Sequence, residues 1–179
     1  LIPKMARRKY YSTLDLASGY WQVPIEENNI PKTAFICSEG LFEWTVMPFG
    51  LCNAPATFQQ MIDEVLSDLD WTVGQGYIDD VIVGSDNFDT HLKDLQLLFN
   101  RLREWGLSAK LIKCHFAKRK LDYLGHTISF EGISPKMQKV ELIKKLLPPT
   151  DISGLRRFLG MTSYYRKFIR NYAHIADPL

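Results

Sequence analysis

The chain has 179 residues, is 46% hydrophobic and 23% charged, and carries a formal net charge of +2. That size and balance suit one compact domain with at most a small appendage, and they exclude a disordered chain. No apolar run reaches the length of a bilayer span, and Leu1-Ile2-Pro3-Lys4-Met5 is no signal peptide. Cys37, Cys52 and Cys114 are odd in number and far apart, which predicts reduced thiols inside a cell rather than a disulfide framework or a zinc site. Cys114-His115 has no partner ligands at metal spacing and reads as ordinary packing. The start without Met predicts a piece of a longer chain. The small net charge hides an asymmetry: residues 110–170 hold 14 Lys/Arg against 4 Asp/Glu, while residues 1–109 hold 8 against 15. One half is suited to cations and the other to a polyanion, with nucleic acid the better guess over merely solvated helix faces.

In chain order, residues 10–16 have strand composition, with Asp15 near the end and a turn at Ala17-Ser18-Gly19. Residues 32–37 and 41–46 flank Ser38-Glu39-Gly40 as a hairpin, and Met47-Pro48-Phe49-Gly50-Leu51 is a breaker-rich connection. A helix follows, with Asn53 as N-cap, Pro55 in its first turn, and Phe58, Met61, Ile62, Val65, Leu66 and Leu69 at helical spacing. A second helix runs from Asp89 or Thr90 to Trp105, striped by Leu92, Leu95, Leu98, Phe99, Leu102 and Trp105 and stopped by Gly106. Residues 107–111 suit a short edge strand, and residues 121–128 with a turn at Glu131-Gly132 suit a hairpin. Ser134-Pro135 opens a helix that stops at Pro148-Pro149. Ser153 opens another, with Leu155, Phe158, Leu159, Thr162, Tyr165, Phe168 and Ile169 on one side. Hairpins with two long helices packed on a sheet indicate an α+β domain with a mostly antiparallel sheet.

Between the two long helices lies Gly76-Tyr77-Ile78-Asp79-Asp80-Val81-Ile82-Val83. In a straight strand the two acids would point to opposite faces, and one would be buried unpaired. At the tip of a tight hairpin both reach one polar site. If the strand ending at Asp15 lies beside this hairpin, three carboxylates converge. They cannot all ionise without a cation, and hard oxygen ligands favour Mg²⁺ or Mn²⁺. An exposed acidic turn with no role is the plain alternative.

Four motifs stand in order: Leu14-Asp15-Leu16-Ala17-Ser18-Gly19-Tyr20-Trp21-Gln22; Met47-Pro48-Phe49-Gly50-Leu51 continuing through Gln59; Tyr77-Ile78-Asp79-Asp80; and Tyr123-Leu124-Gly125-His126. With Leu155-Arg156-Arg157-Phe158-Leu159-Gly160 and Tyr164-Tyr165-Arg166-Lys167-Phe168-Ile169, nearly the whole chain resembles the reverse transcriptase of gypsy-type LTR retrotransposons, part of a pol polyprotein. The resemblance implies a right-hand polymerase palm with part of the fingers hairpin over residues 1–133. A partial helical thumb or connection segment would fill residues 134–179. It implies an RNA-directed DNA polymerase using two Mg²⁺ ions, with Mn²⁺ as a possible substitute, held by Asp15, Asp79, Asp80 and the backbone carbonyl of Leu16. Partners would be an RNA and DNA template-primer and a dNTP, with no membrane.

By the same resemblance Tyr20, Phe49, Gly50 and Lys113 contact the nucleotide. Tyr20 lies under the sugar, where it would exclude a 2′-hydroxyl, and Lys113 protonates the departing pyrophosphate or simply contacts phosphate. Related viral enzymes carry Gln at the Phe49 position, so that polar contact is absent here. Gln59 approaches the template, and Tyr77, Tyr123, Leu124, Gly125 and His126 hold the primer end. Arg156, Arg157, Arg166 and Lys167 grip the duplex backbone. Without the family, Tyr20 is a core aromatic, Gln59 an exposed helix residue and the four cations a solvated face. A basic fingers segment is expected upstream of Leu1, and no RNase H, integrase or protease signature follows, so the fragment alone is expected to polymerise weakly or not at all. A non-catalytic nucleic-acid-binding remnant of such an element is the alternative. A cyclase-like enzyme is a weaker third.

Overall fold

In a computed structural model, residues 2–67, 69 and 74–179 are described. The elements run α1 (Ile2–Met5), β1 (Tyr10–Asp15), β2 (Phe35–Cys37), β3 (Gly40–Phe42), α2 (Ala54–Val65), β4 (Gly74–Tyr77) and β5 (Asp80–Ser85). Then come α3 (Phe88–Glu104), β6 (His115–Lys118), β7 (Lys120–Tyr123), β8 (His126–Ser129), β9 (Gly132–Pro135), α4 (Met137–Lys144), α5 (Ile152–Tyr164) and α6 (Tyr172–Ala176). The expected α+β class with antiparallel sheets is what forms.

The central sheet has the order β4-β5-β1-β6. Alternation along its strands divides the apolar residues between two cores. Leu14, Val81 and Val83 face α2 and α3, where Phe58, Ile62, Val65, Leu95, Leu98 and Leu102 close one cluster. Tyr11 and Ile82 face the other way and meet Met5, Leu121, Tyr123 and Ile128, so the sheet β7-β8-β9 covers the second face. Both faces of β1 and β5 are therefore dry, which explains the near-continuous apolar run after Asp80.

A polar rivet crosses the first core. His91 of α3 is buried with Ser12 of β1 and Ser85 of β5. Ser85 donates its one hydroxyl proton to Asp94 at 2.6 Å, so His91 Nδ1–H donates to Ser85 at 2.9 Å. His91 Nε2 then accepts from Ser12 at 2.7 Å, and Ser12 accepts from the Ala117 backbone N–H at 3.0 Å. Burial lowers the imidazole pKa, which keeps the ring neutral as this proton order requires. The chain joins β1, β5, β6 and α3 with every hydroxyl satisfied.

Several expected boundaries shift for local reasons. The hairpin tip expected at Asp79-Asp80 falls at Ile78-Asp79, with Asp80 already paired in β5, and Ile78 takes φ 53°, an unusual conformation for a β-branched residue. Asn53 stands at the N-cap of α2 with helical dihedrals and makes no side-chain cap bond. Asn87 caps α3 by accepting from Thr90 N, which starts that helix at Phe88. On α3 Leu92 is half exposed while His91 takes the buried place, and Phe99 and Trp105 are also exposed. Residues 107–111 form no strand: Ala109 alone faces Leu16, and the unexpected β6 pairs with β1 instead. The hairpin expected after residue 121 is three strands with turns at Leu124-Gly125 and Phe130-Glu131. Ser134 and Pro135 remain paired in β9, so α4 opens at Met137 behind Lys136, and a domain boundary after residue 133 would cut a strand. Asp151, whose carboxylate accepts from Gly154 N, caps α5 in place of Ser153. That helix ends at Tyr164, so the stripe drawn to Ile169 is broken by a 3₁₀ turn over Arg166–Phe168.

The acid hairpin is held against α2 by an absent side chain. A Cβ on Gly76 would stand 2.3 Å from Ile62 Cγ2 and 3.0 Å from Leu66 Cδ1. Gly76→Ala is expected to cost about 1–3 kcal/mol, as overpacking of a tight core does, read as a lower urea midpoint at unchanged slope.

Candidate active site

The register between β1 and β5 sets Asp15 directly opposite Asp80, continuing from Tyr11↔Gly84 through Leu14↔Val81. Residues directly opposite in an antiparallel pair share one face, about 4.5–5.5 Å apart at Cβ. Asp79 occupies the second turn position, and its carbonyl accepts from Leu16 N at 2.9 Å. The three acids expected to converge do so.

Their electrostatics follow from that crowding. Burial first, then the neighbouring charges of Asp79 and Asp15, raise the Asp80 carboxyl above its ordinary 3.8, with Lys113 pulling weakly the other way. Lys113 Nζ donates to Asp15 Oδ2 at 2.8 Å, and this bond and charge raise the lysine pKa in turn. The ammonium is half exposed while the Asp15 carboxylate is mostly covered. Among the described residues no three His, Cys, Asp or Glu side chains stand as a ready metal cage. Asp15 is engaged by an organic cation instead. An all-oxygen donor set with one carboxyl pushed toward its neutral form is what a hard divalent ion would relieve.

Asp15 and Asp79 open onto a cleft of about 760 Å³ that Asp80 does not itself line. Asp15, Leu16, Tyr20, Phe49, Asp79, Lys110 and Lys113 line it. The Tyr20 and Phe49 rings are 5.2 Å apart, and Tyr20 also packs edge-on against Phe58 at 5.6 Å. Gly50 is beside Phe49 with φ +98° and does not line the cleft. A Cβ on Gly19 would meet Phe58 at 3.1 Å and Asp79 Cβ at 3.4 Å, so a side chain would push the loop away from the acids.

Gln59 does not project freely toward a ligand. Its Oε1 accepts from Ile78 N at 2.8 Å and its Nε2 reaches Gly76 O at 3.3 Å and Asp63 Oδ1 at 2.8 Å. The amide thus brackets the strained turn that carries Asp79. Gln22 does similar work on the other side. Its amide pairs with Ser108 N and O and with Ala17 O, tying the loop after Asp15 to the segment leading to Lys110. Gln22 closes the motif that contains Asp15, and an amide placed just after a turn is the only signal of this role in the chain itself.

Tyr77 is half exposed beside the acids. Tyr123 is buried, donates to the Asp80 carbonyl at 3.0 Å, and has its hydroxyl pKa raised by burial and by Asp80. Leu124 and Gly125 form the turn of the β7–β8 hairpin. His126 is buried against Tyr164, Tyr165 and Phe168, so its ring faces α5 and the following turn rather than solvent. Arg156, Arg157, Arg166 and Lys167 are all exposed on the helical tail, well separated in sequence from the acid hairpin.

The Asp80 shift makes a signed expectation. A carboxyl raised above its ordinary value favours folding below about pH 4, and that advantage is lost as pH rises through the folded value. Without added cation, Asp80→Asn is therefore expected to raise the melting temperature at pH 7 and to leave it unchanged at pH 3, by calorimetry.

Residues 2–128 match the family model described as reverse transcriptase (RNA-dependent DNA polymerase). The chain is 46% identical over 178 residues to the retrovirus-related Pol polyprotein from transposon opus of Drosophila melanogaster, covering 99% of this chain and 18% of that protein. It is 34% identical to the Pol polyprotein from transposon gypsy of the same organism, covering 100% of this chain and 17% of that protein. The chain thus spans about a fifth of the length of these relatives. Among solved structures, the foamy viral protease-reverse transcriptase dRH in complex with double-stranded DNA superposes with a TM-score of 0.90 at 28% identity, over 99% of this chain and 31% of that one. The foamy viral protease-reverse transcriptase in complex with RNA/DNA hybrid gives 0.85 at 28% identity, over 99% of this chain and 24% of that one. With its motifs in register and its fold superposed, the chain belongs to the reverse transcriptase family.

Proposed function

We propose that this chain is the catalytic palm of an RNA-directed DNA polymerase, with a fingers hairpin and the start of a thumb. In its parent it extends a DNA primer on an RNA or DNA template by nucleotidyl transfer from a dNTP. The observation that carries the reading is the register pairing Asp15 with Asp80, which gathers three acids beside a cleft lined by Lys110 and Lys113. The nucleic acids bound by the foamy viral neighbours support the same partners here.

In this reading Asp15, Asp79 and Asp80, with the Leu16 carbonyl, hold two divalent cations, Mg²⁺ or in substitution Mn²⁺. When bound, such ions neutralise triphosphate charge and lower the pKa of the primer 3′-hydroxyl. Lys113 and Lys110 add ammonium charge where the polyphosphate lies. Tyr20 and Phe49 give the sugar and base an aromatic wall, and at the adjoining Gly50 an added Cβ would meet nothing within 4 Å. Gln59 acts through the turn it brackets, setting Asp79 rather than reading the template directly. Tyr77 and the β7–β8 turn, residues 123–126, lie against the primer end. Arg156, Arg157, Arg166 and Lys167 hold the duplex backbone without reading sequence. The palm runs to Pro135 and the thumb helices begin at Met137. No described helix is long and apolar enough to cross a membrane, and free thiols at Cys37, Cys52 and Cys114 suit a reducing compartment.

Primer extension with Mg²⁺ on an RNA template tests the reading in the full-length parent. Asp79→Asn is expected to lower synthesis at least about a hundredfold with the fold intact. Unchanged synthesis would sink the assignment and favour a nucleic-acid-binding remnant. Residues 1–179 alone are expected to extend primers more slowly than the full-length parent.

A further inference from the structure

The β7–β8 turn is unusual in both conformation and satisfaction. Leu124 has φ 45° and Gly125 φ 73°, so a non-glycine residue is held in the left-handed region. Each of the two turn carbonyls receives two donors. Leu124 O accepts from Tyr164 Oη at 2.6 Å and lies 2.9 Å from His126 Nδ1. Gly125 O accepts from Tyr165 Oη at 3.1 Å and from Lys136 N at 3.1 Å. A carbonyl has two lone pairs, so all four are filled. Two of the four donors come from adjacent tyrosines some 40 residues away, at the end of α5.

Packing makes this a clasp. The Tyr164 and Tyr165 rings stand edge-on at 5.0 Å and, with Phe168, enclose the buried His126 ring. A Cβ on Gly125 would meet Tyr165 Oη at 2.9 Å, so the hydroxyl touches the backbone through the space glycine leaves. On the other side of the turn, Tyr123 donates to the Asp80 carbonyl. Hydrogen bonds therefore run from α5, through the turn and its neighbouring residue, to the backbone of an acid.

We infer that Tyr164 and Tyr165 are positioning residues, whose hydroxyls lock the Leu124-Gly125 turn in the geometry that aligns the primer end with the acids. The inference rests on the proposed polymerase reading. It assigns the tyrosines no contact with substrate; they act through the turn. Losing both hydroxyls leaves the ring packing in place but lets a strained turn relax, and small misplacements of a reacting group are expensive in rate. The affinity for template-primer, set by spread-out backbone contacts, is left alone.

The test is rapid-quench primer extension by the parent enzyme with both tyrosines changed, Tyr164→Phe and Tyr165→Phe. The burst rate is expected to fall about ten- to a hundredfold. Burst amplitude, which counts folded active enzyme, and Kd for template-primer are expected to stay within about twofold of the parent. Tyr172→Phe, which removes a hydroxyl bonded to Thr162 in the same tail and away from the turn, is expected to change nothing. If the double variant does not fold, Tyr164→Phe alone is read, since its ring is half exposed. An unchanged burst rate, a loss confined to amplitude, or an equal loss in Tyr172→Phe would overturn the inference. Asp79→Asn in the same assay separates the failures. If it abolishes synthesis while the tyrosine variant keeps the parent's burst rate, the clasp alone is wrong; if it changes nothing, the polymerase reading falls and takes the clasp with it.

Discussion

Everything near the cleft depends on the antiparallel register of β1 and β5. Sliding that pairing by one residue would turn Asp15 away from Asp80 and bury it among the side chains facing α2 and α3. The register is specified because both faces of these strands are dry, with Val81 and Val83 on one side and Tyr11 and Ile82 on the other. The apolar packing therefore enforces a contact that electrostatics opposes. Two carboxylates are set across from each other and a third is placed in the turn, and the Asp80 carboxyl responds with a raised pKa.

The surrounding side chains counter that repulsion without removing it. Gly76 lets α2 press against β4, the Gln59 amide holds both sides of the Ile78 turn, and the Ser12–His91–Ser85–Asp94 chain fastens the two strands to α3. Lys113 pairs with Asp15 from solvent, and as a half-exposed partner it screens the site only modestly. A polar cleft held open in this way resembles other functional sites, where local stability is traded for charges poised to meet a ligand. The helical tail joins the same framework through the Tyr164 and Tyr165 hydroxyls and the rings packed around His126.

Much of this was legible in the chain itself. The Asp79-Asp80 pair between apolar runs, the two helices with their stripes, and the basic tail were readable from composition and spacing, because period and turn chemistry are local properties. Gly106 ended its helix as glycine in the left-handed region commonly does. Local signals failed where two nearby residues compete for one role. Asp151 took the cap from Ser153, and Asn87 set the start of α3 from outside the expected span. Ser134-Pro135 read as a helix start, yet cross-strand pairing with Thr127 and His126 kept it extended.

The amino-acid sequence alone determined which chemistry was present: three acids able to hold a hard cation, aromatics near them, and cations gathered toward the C-terminal end. Only the tertiary structure decided which groups meet and which support. It turned Gln59 and His126 inward, brought Lys113 to Asp15, and set Tyr164 and Tyr165 on a turn 40 residues earlier. The reason is that hydrogen-bond partners between distant segments leave no periodicity in the chain. They exist only after the two apolar cores have set the distances between elements.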